Sequence, residues 1–195
     1  MKTCKEYRKI AGIALKQNFG KIIAFGILAS MIIGALLSTS FGIIIVGPLY
    51  IGTMVFFLRA IRNEPLHYGA LFEPFINKDF GRTEALFLLK NILICLWSLL
   101  LVIPGIIKSY SYAMADFIAV DNPNLRASDC ISYSMIMMKG NKFKLFLLDL
   151  SFIGWYLLGI LTLGIGFIFI APYVKLAKAA FYEDLKAKYP PLDLA

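Results

Sequence analysis

Charged and turn-forming residues divide this chain into three apolar blocks, 22–58, 85–120 and 145–180, which are 37, 36 and 36 residues long. A helix needs about 20 apolar residues to cross a bilayer. Each block is therefore too long for one crossing and long enough for two short ones. The expected fold is all-α: a polytopic membrane protein with about six short transmembrane helices paired as three helical hairpins, plus interfacial amphipathic helices. Four longer helices with re-entrant segments would also satisfy the block lengths. Composition agrees with a membrane protein, since 59% of the 195 residues are hydrophobic and only 16% charged, against about 45–50% and 25% in soluble domains.

A hairpin needs a turn near its middle, and each block has turn chemistry there: Ser38-Thr39-Ser40-Phe41-Gly42, Ile103-Pro104-Gly105 and Thr162-Leu163-Gly164-Ile165-Gly166. Gly42, Gly105 and Gly164 stand at positions 21, 21 and 20 of their blocks, which suggests a repeated unit. Pro48 and Pro172 come early in the first and third returning helices, where they are expected to kink them. The middle block has no such proline.

The basic residues set the expected orientation. Lys2, Lys5, Arg8, Lys9, Lys16 and Lys21 precede the first block; Arg59, Arg62, Lys78 and Arg82 lie in the first long loop; Arg126, Lys139, Lys142 and Lys144 lie in the second. The three turns carry no charge, so both termini and both long loops are assigned to the cytoplasm. The domain plan is a single integral membrane domain: a basic interfacial helix (1–21) turning down at Gly20, hairpin 1 (22–58), a loop (59–84), hairpin 2 (85–120), a loop with a surface helix (121–144), hairpin 3 (145–180) and a tail (181–195). The helix from Ile22 reads as retained and not as a cleaved signal. In the loops, Ile131, Met135 and Met138 form one apolar stripe, and Tyr68, Leu71, Phe72 and Phe75 another. The net charge of +8 is spent on this topology, so anionic headgroups are the expected partner and nucleic acid is not.

No enzyme is expected. His67 is a lone histidine in a loop, and Cys4, Cys95 and Cys130 are scattered free thiols, so neither metal site nor cofactor is indicated. Chemistry is sought instead among ionisable groups inside the blocks. Lys90 with Asp116, and Asp149 with Lys175, fall at matching depths of hairpins 2 and 3 and read as two ion pairs between hairpin arms, or as a polar site or path. Lys108 lacks an acidic neighbour and, with Ser109, Tyr110, Ser111 and Tyr112, is a candidate anion or lipid-headgroup contact. Gly26, Ser30 and Gly34 form a small-residue face for helix packing, within the monomer or in a homo-oligomer. Trp97, Trp155, Tyr156 and Tyr173 read as packing or interfacial anchors.

The segments Ile103-Pro104-Gly105-Ile106-Ile107-Lys108-Ser109-Tyr110-Ser111-Tyr112, Asp121-Asn122-Pro123, Met138-Lys139-Gly140-Asn141-Lys142, Leu148-Asp149-Leu150-Ser151-Phe152-Ile153-Gly154-Trp155, Leu161-Thr162-Leu163-Gly164-Ile165-Gly166 and Ala179-Ala180-Phe181-Tyr182 resemble a bacterial integral-membrane family. It is the one catalogued as domain of unknown function nine hundred seventy-five. The resemblance extends over essentially the whole chain, with its distinctive motifs after Leu100. It implies a multi-pass protein of the bacterial plasma membrane and carries over no catalytic residues. The expected role is a non-enzymatic accessory or scaffold, or one in envelope stress or peptide immunity, acting with other membrane proteins. The alternative is a small transporter or lipid-handling protein.

Overall fold

The structure, a computed structural model, describes residues 2–39, 42, 45–76, 79–164 and 166–189, and all regular structure among them is helical. The α-helices are α1 (Cys4–Gln17), α2 (Phe19–Leu37), α3 (Val46–Arg62), α4 (Glu73–Ile76), α5 (Phe80–Leu100), α6 (Val102–Ser111), α7 (Ala115–Asp121), α8 (Ala127–Met137), α9 (Lys142–Leu150), α10 (Ile153–Leu161) and α11 (Phe167–Lys188). A 3₁₀ turn over Tyr68–Phe72 leads into α4.

The three blocks fold back on themselves as expected, but their turns are not equivalent. In the third, Leu163 and Gly164 adopt left-handed φ of 53° and 92°, and the Gly164 N–H reaches back to the Gly159 carbonyl at 3.0 Å. Glycine is favoured there because a Cβ clashes in the left-handed region. Ile165 lies outside the described residues, as do Ser40 and Phe41 of the first turn and Lys78 of the first loop. In the second block the turn is not Ile103-Pro104-Gly105, because Pro104 and Gly105 sit inside α6. The chain reverses instead at Leu101, with φ −160° and ψ 137°. Proline in a first helical turn removes only an N–H that has no intrahelical acceptor, so Pro104 starts a helix and does not end one. So tight a reversal presses α6 onto α5, and a Cβ on Gly105 would lie 2.8 Å from the Ser98 Cα. The matching glycine offsets therefore do not mark one repeated turn.

The third helix is apolar from Val46 to Leu58 apart from Tyr50 and Thr53, carries Arg59 and Arg62 in its last turn, and is buried over most of its surface. Phe25 of α2 stacks on Phe56 at 3.7 Å, and α5 crosses the other side, bringing buried Glu84 to the Gly47 N–H at 3.1 Å. A carboxylate at that position also complements the positive end of the helix dipole. Pro48 does not kink α3 as expected. It is the third residue of the helix, so the carbonyl four residues earlier lies before the helix begins. Pro172 is inside α11 and does deprive the Ile168 carbonyl of its helical partner.

The amino-terminal helix opens with a capping box between Thr3 and Glu6. It ends at Asn18, not Gly20, and it is not simply a surface helix. Tyr7, Ala11 and Ala14 are buried, Tyr7 meets the Phe181 ring edge-on at 5.3 Å, and its hydroxyl donates to Asp184 at 2.6 Å. The second loop stripe faces inward, with Ile131 and Met138 buried and Met135 partly buried, whereas the first is divided: Leu71 is buried, but Tyr68 and Phe72 are exposed. Two segments, Phe19–Leu37 and Lys142–Leu161, are long and apolar enough to cross a membrane, and only 22% of each is buried inside the fold.

Gly105→Ala should cost about 1–3 kcal/mol through overpacking against Ser98. Gly34→Ala, with nothing within 4 Å of the new methyl, should leave stability unchanged or raise it by up to about 1 kcal/mol. Thermal unfolding of the two variants side by side checks this, and equal midpoints would contradict the close α5–α6 contact.

Candidate functional site

A cavity of about 620 Å³ opens where α3, α5, α6, α7, α9 and α11 converge, and Lys90, Asp116, Asp149, Lys175 and Lys178 all line it. The four charged residues singled out from hairpins 2 and 3 thus share one site. Their sequence positions left open two separate ion pairs or one polar site or path.

The expected Lys90–Asp116 pair forms. The ammonium donates to Asp116 Oδ1 at 2.6 Å, with side-chain exposures of 12% and 6%, so neither group can rely on water. The Tyr50 ring lies 5.3 Å from the same nitrogen. The expected Asp149–Lys175 pair does not form. Asp149 pairs instead with Lys178 at 3.1 Å and accepts from the Tyr110 hydroxyl at 3.2 Å. Lys175 and Lys178 are three residues apart on one face of α11, and depth in a block cannot tell such neighbours apart. Lys175 lies over the rings of Tyr50 and Phe57, at 5.7 and 5.5 Å from their centres. No carboxylate approaches its ammonium within 4 Å among the described residues.

The anion contact proposed around Lys108 is divided. Ser109, Tyr110 and Tyr112 line the cavity, whereas Lys108 is directed to the Trp97 ring of α5 at 4.7 Å. The Ser109 hydroxyl bonds to the Ile106 carbonyl of its own helix, and that of Ser111 to Ile107. The small-residue face is divided too. Gly26 faces Pro172 of α11, where a Cβ would make ordinary contact with the proline ring at 3.7 Å. Ser30 bonds to the Gly26 carbonyl, and Gly34 faces open space. Tyr156 lines the cavity. Trp155 packs on Tyr173 at 6.1 Å, and the Tyr173 hydroxyl bonds to the Arg8 carbonyl at 3.0 Å. His67 is exposed, and the cysteines are free. Among the described residues no His, Cys, Asp and Glu cluster could hold a metal.

Two features escaped the sequence reading. Lys178 lies inside the third block but close to its edge, where it passes for a boundary charge. Asp121 is the other: it gathers Arg62 at 2.8 Å, Tyr182 at 2.9 Å and Lys186 at 2.7 Å, tying α3, α7 and α11 together at one end of the fold. Burial alone would raise the Asp121 carboxyl, but the bonds from Arg62 and Lys186 outweigh it and hold it below the ordinary carboxylate range.

Lys90→Met leaves Asp116 buried without its cation and should cost about 3–5 kcal/mol. Lys90→Met combined with Asp116→Leu should recover most of that loss. A double-mutant cycle by chemical unfolding measures the coupling, and additive losses would show that the two groups do not depend on each other.

Neither the curated proteins nor the solved structures provide a match to this chain. The family match covers the second half rather than the whole length expected from the resemblance. It contains the α6–α7 and α9–α11 walls of the cavity: residues 98–189 match the model of the family described as Protein of unknown function (DUF975).

Proposed function

We propose that this is a multi-pass membrane protein of six short passes in three hairpins, with both termini cytoplasmic, which binds a small charged ligand between hairpins 2 and 3. Its role on this reading is lipid handling or transport, without catalysis. The observation that carries the reading is the convergence of Lys90, Asp116, Asp149, Lys175 and Lys178, all from predominantly apolar blocks, on one cavity. Ionisable groups in such surroundings are costly, and they are expected to face ligand, water or one another.

Two further observations support it. Leu99, Val102, Ile103, Leu161 and Leu163 at the hairpin tips are 70–95% exposed, a surface suited to lipid and not to water. The cavity is also bordered by interrupted helices, with α6 giving way to α7 at Tyr112–Met114 and α9 to α10 at Ser151–Phe152. Discontinuous helices of this kind form ligand sites in many transporters, because the interruption frees backbone polar groups. A scaffold role through helix association is the second reading, favoured by the open Gly34 side of α2.

Alkaline-phosphatase fusions after Thr39, Leu101 and Leu163 should be active, and those after Glu64 and Lys139 silent. A silent Leu101 fusion beside active ones at the other two tips would make hairpin 2 re-entrant and overturn the six-pass topology. Native mass spectrometry of the full chain released from lipid nanodiscs should retain a small-molecule mass that is lost in Asp149→Asn/Tyr110→Phe. Retention of the same mass in that variant, or of none in the unaltered protein, would overturn the binding role.

A further inference from the structure

The cavity is not electrically balanced. Three lysines face two carboxylates, and the pairing is specific: Lys90 is held by Asp116 and Lys178 by Asp149. The excess positive charge is therefore localised on Lys175. The Tyr50 and Phe57 rings can steady an ammonium, but they do not neutralise it.

Lys175, with Phe167 and Ala171 of the same helix, also lines a second cavity, of about 400 Å³, between α11 and α2. Its remaining lining is apolar apart from Ser30 and includes Gly26, Ile27, Met31, Phe57, Ile168 and Pro172. The absent side chain of Gly26 leaves room beside the Pro172 ring. Ile27, Met31 and Ile168 are 39%, 69% and 41% exposed, so this groove has apolar walls that the fold does not fill. One ammonium with no carboxylate partner among the described residues thus stands where a cavity that holds charged groups meets an apolar groove.

We infer that Lys175 holds the anionic head of a single-chain amphiphile, a long-chain carboxylate or phosphate monoester, whose tail lies in the groove between α2 and α11. The two parts of such a molecule match the two environments: its head supplies the missing negative charge, and its tail covers the exposed apolar walls. This assignment rests on the ligand-binding reading above and adds the chemical class of the ligand and its direction in the site.

The test uses the full chain in phosphatidylcholine nanodiscs with palmitate and hexadecyl phosphate, each carrying a mid-chain diazirine. Photolysis should label residues 26–31 and 167–172. Lys175→Met should cut the yield by about tenfold or more, the loss expected of one charge-assisted hydrogen bond, while Lys175→Arg preserves it. Ser30→Leu, which fills the groove without touching Lys175, should also reduce labelling. The head that gives the higher yield identifies the natural one, and free inorganic phosphate should compete poorly. The assignment is overturned if Lys175→Met, shown by thermal unfolding to be folded, labels like the unaltered protein. It is equally overturned if label spreads over the whole apolar surface, or if free phosphate displaces the probes as well as unlabelled palmitate does. Such a result alongside an Asp149- and Tyr110-dependent mass would remove the amphiphile and leave the binding role standing.

Discussion

The architecture is organised around α3, whose residues from Val46 to Leu58 are apolar apart from Tyr50 and Thr53 and are nearly all buried by neighbouring elements. Its faces are covered by α2 through Phe25, by α5 through Glu84 and Phe87, by the Ala70–Leu71 turn at Gly52, and by α11 through Lys175. Gly47 and Gly52 matter here because their missing side chains allow close backbone approach. Chain on both sides of α3 in sequence is drawn onto it, so the loops contribute to the core instead of trailing in solvent.

The same wrapping creates the electrostatic problem that the cavity partly solves. Bringing α5, α7, α9 and α11 around α3 collects charges from separate hairpins in one poorly solvated space. Two close pairs and a tyrosine hydroxyl satisfy most of them. At the end of α3, the Arg62–Asp121–Lys186 cluster performs a similar compensation nearer the charged edge. The difference between the two sites is completeness. Asp121 is over-supplied with donors, whereas Lys175 has only aromatic faces among the described residues.

Several elements were legible from residue pattern alone. The hairpins follow from block length, the third turn from Thr162 to Gly166, and the Lys90–Asp116 pair from antiparallel register within one hairpin. The second turn was misplaced because Pro-Gly chemistry suits a helix start as well as a reversal, and only the Ser98–Gly105 contact distinguishes them. Asp149 was assigned the wrong lysine because Lys175 and Lys178 are neighbours on one face of α11, which depth counting does not separate. The inward placement of α1 and of the Ile131–Met138 stripe was missed for a related reason. An amphipathic stripe reports that a helix has an apolar partner without saying whether that partner is lipid or protein.

What the chain determined by itself was therefore local and periodic: helical class, three folded-back blocks, and which ionisable residues sit in apolar surroundings. These follow from hydrophobicity and turn chemistry, which act over a few residues. Tertiary structure decided that charges from two hairpins face a common cavity, that Lys108 leaves that group for Trp97, and that Lys178 takes the carboxylate expected for Lys175. Those outcomes depend on rotation about helix axes and on the crossing of α3 by α5. Both are set by side-chain packing between residues distant in sequence, which periodicity within one segment does not encode.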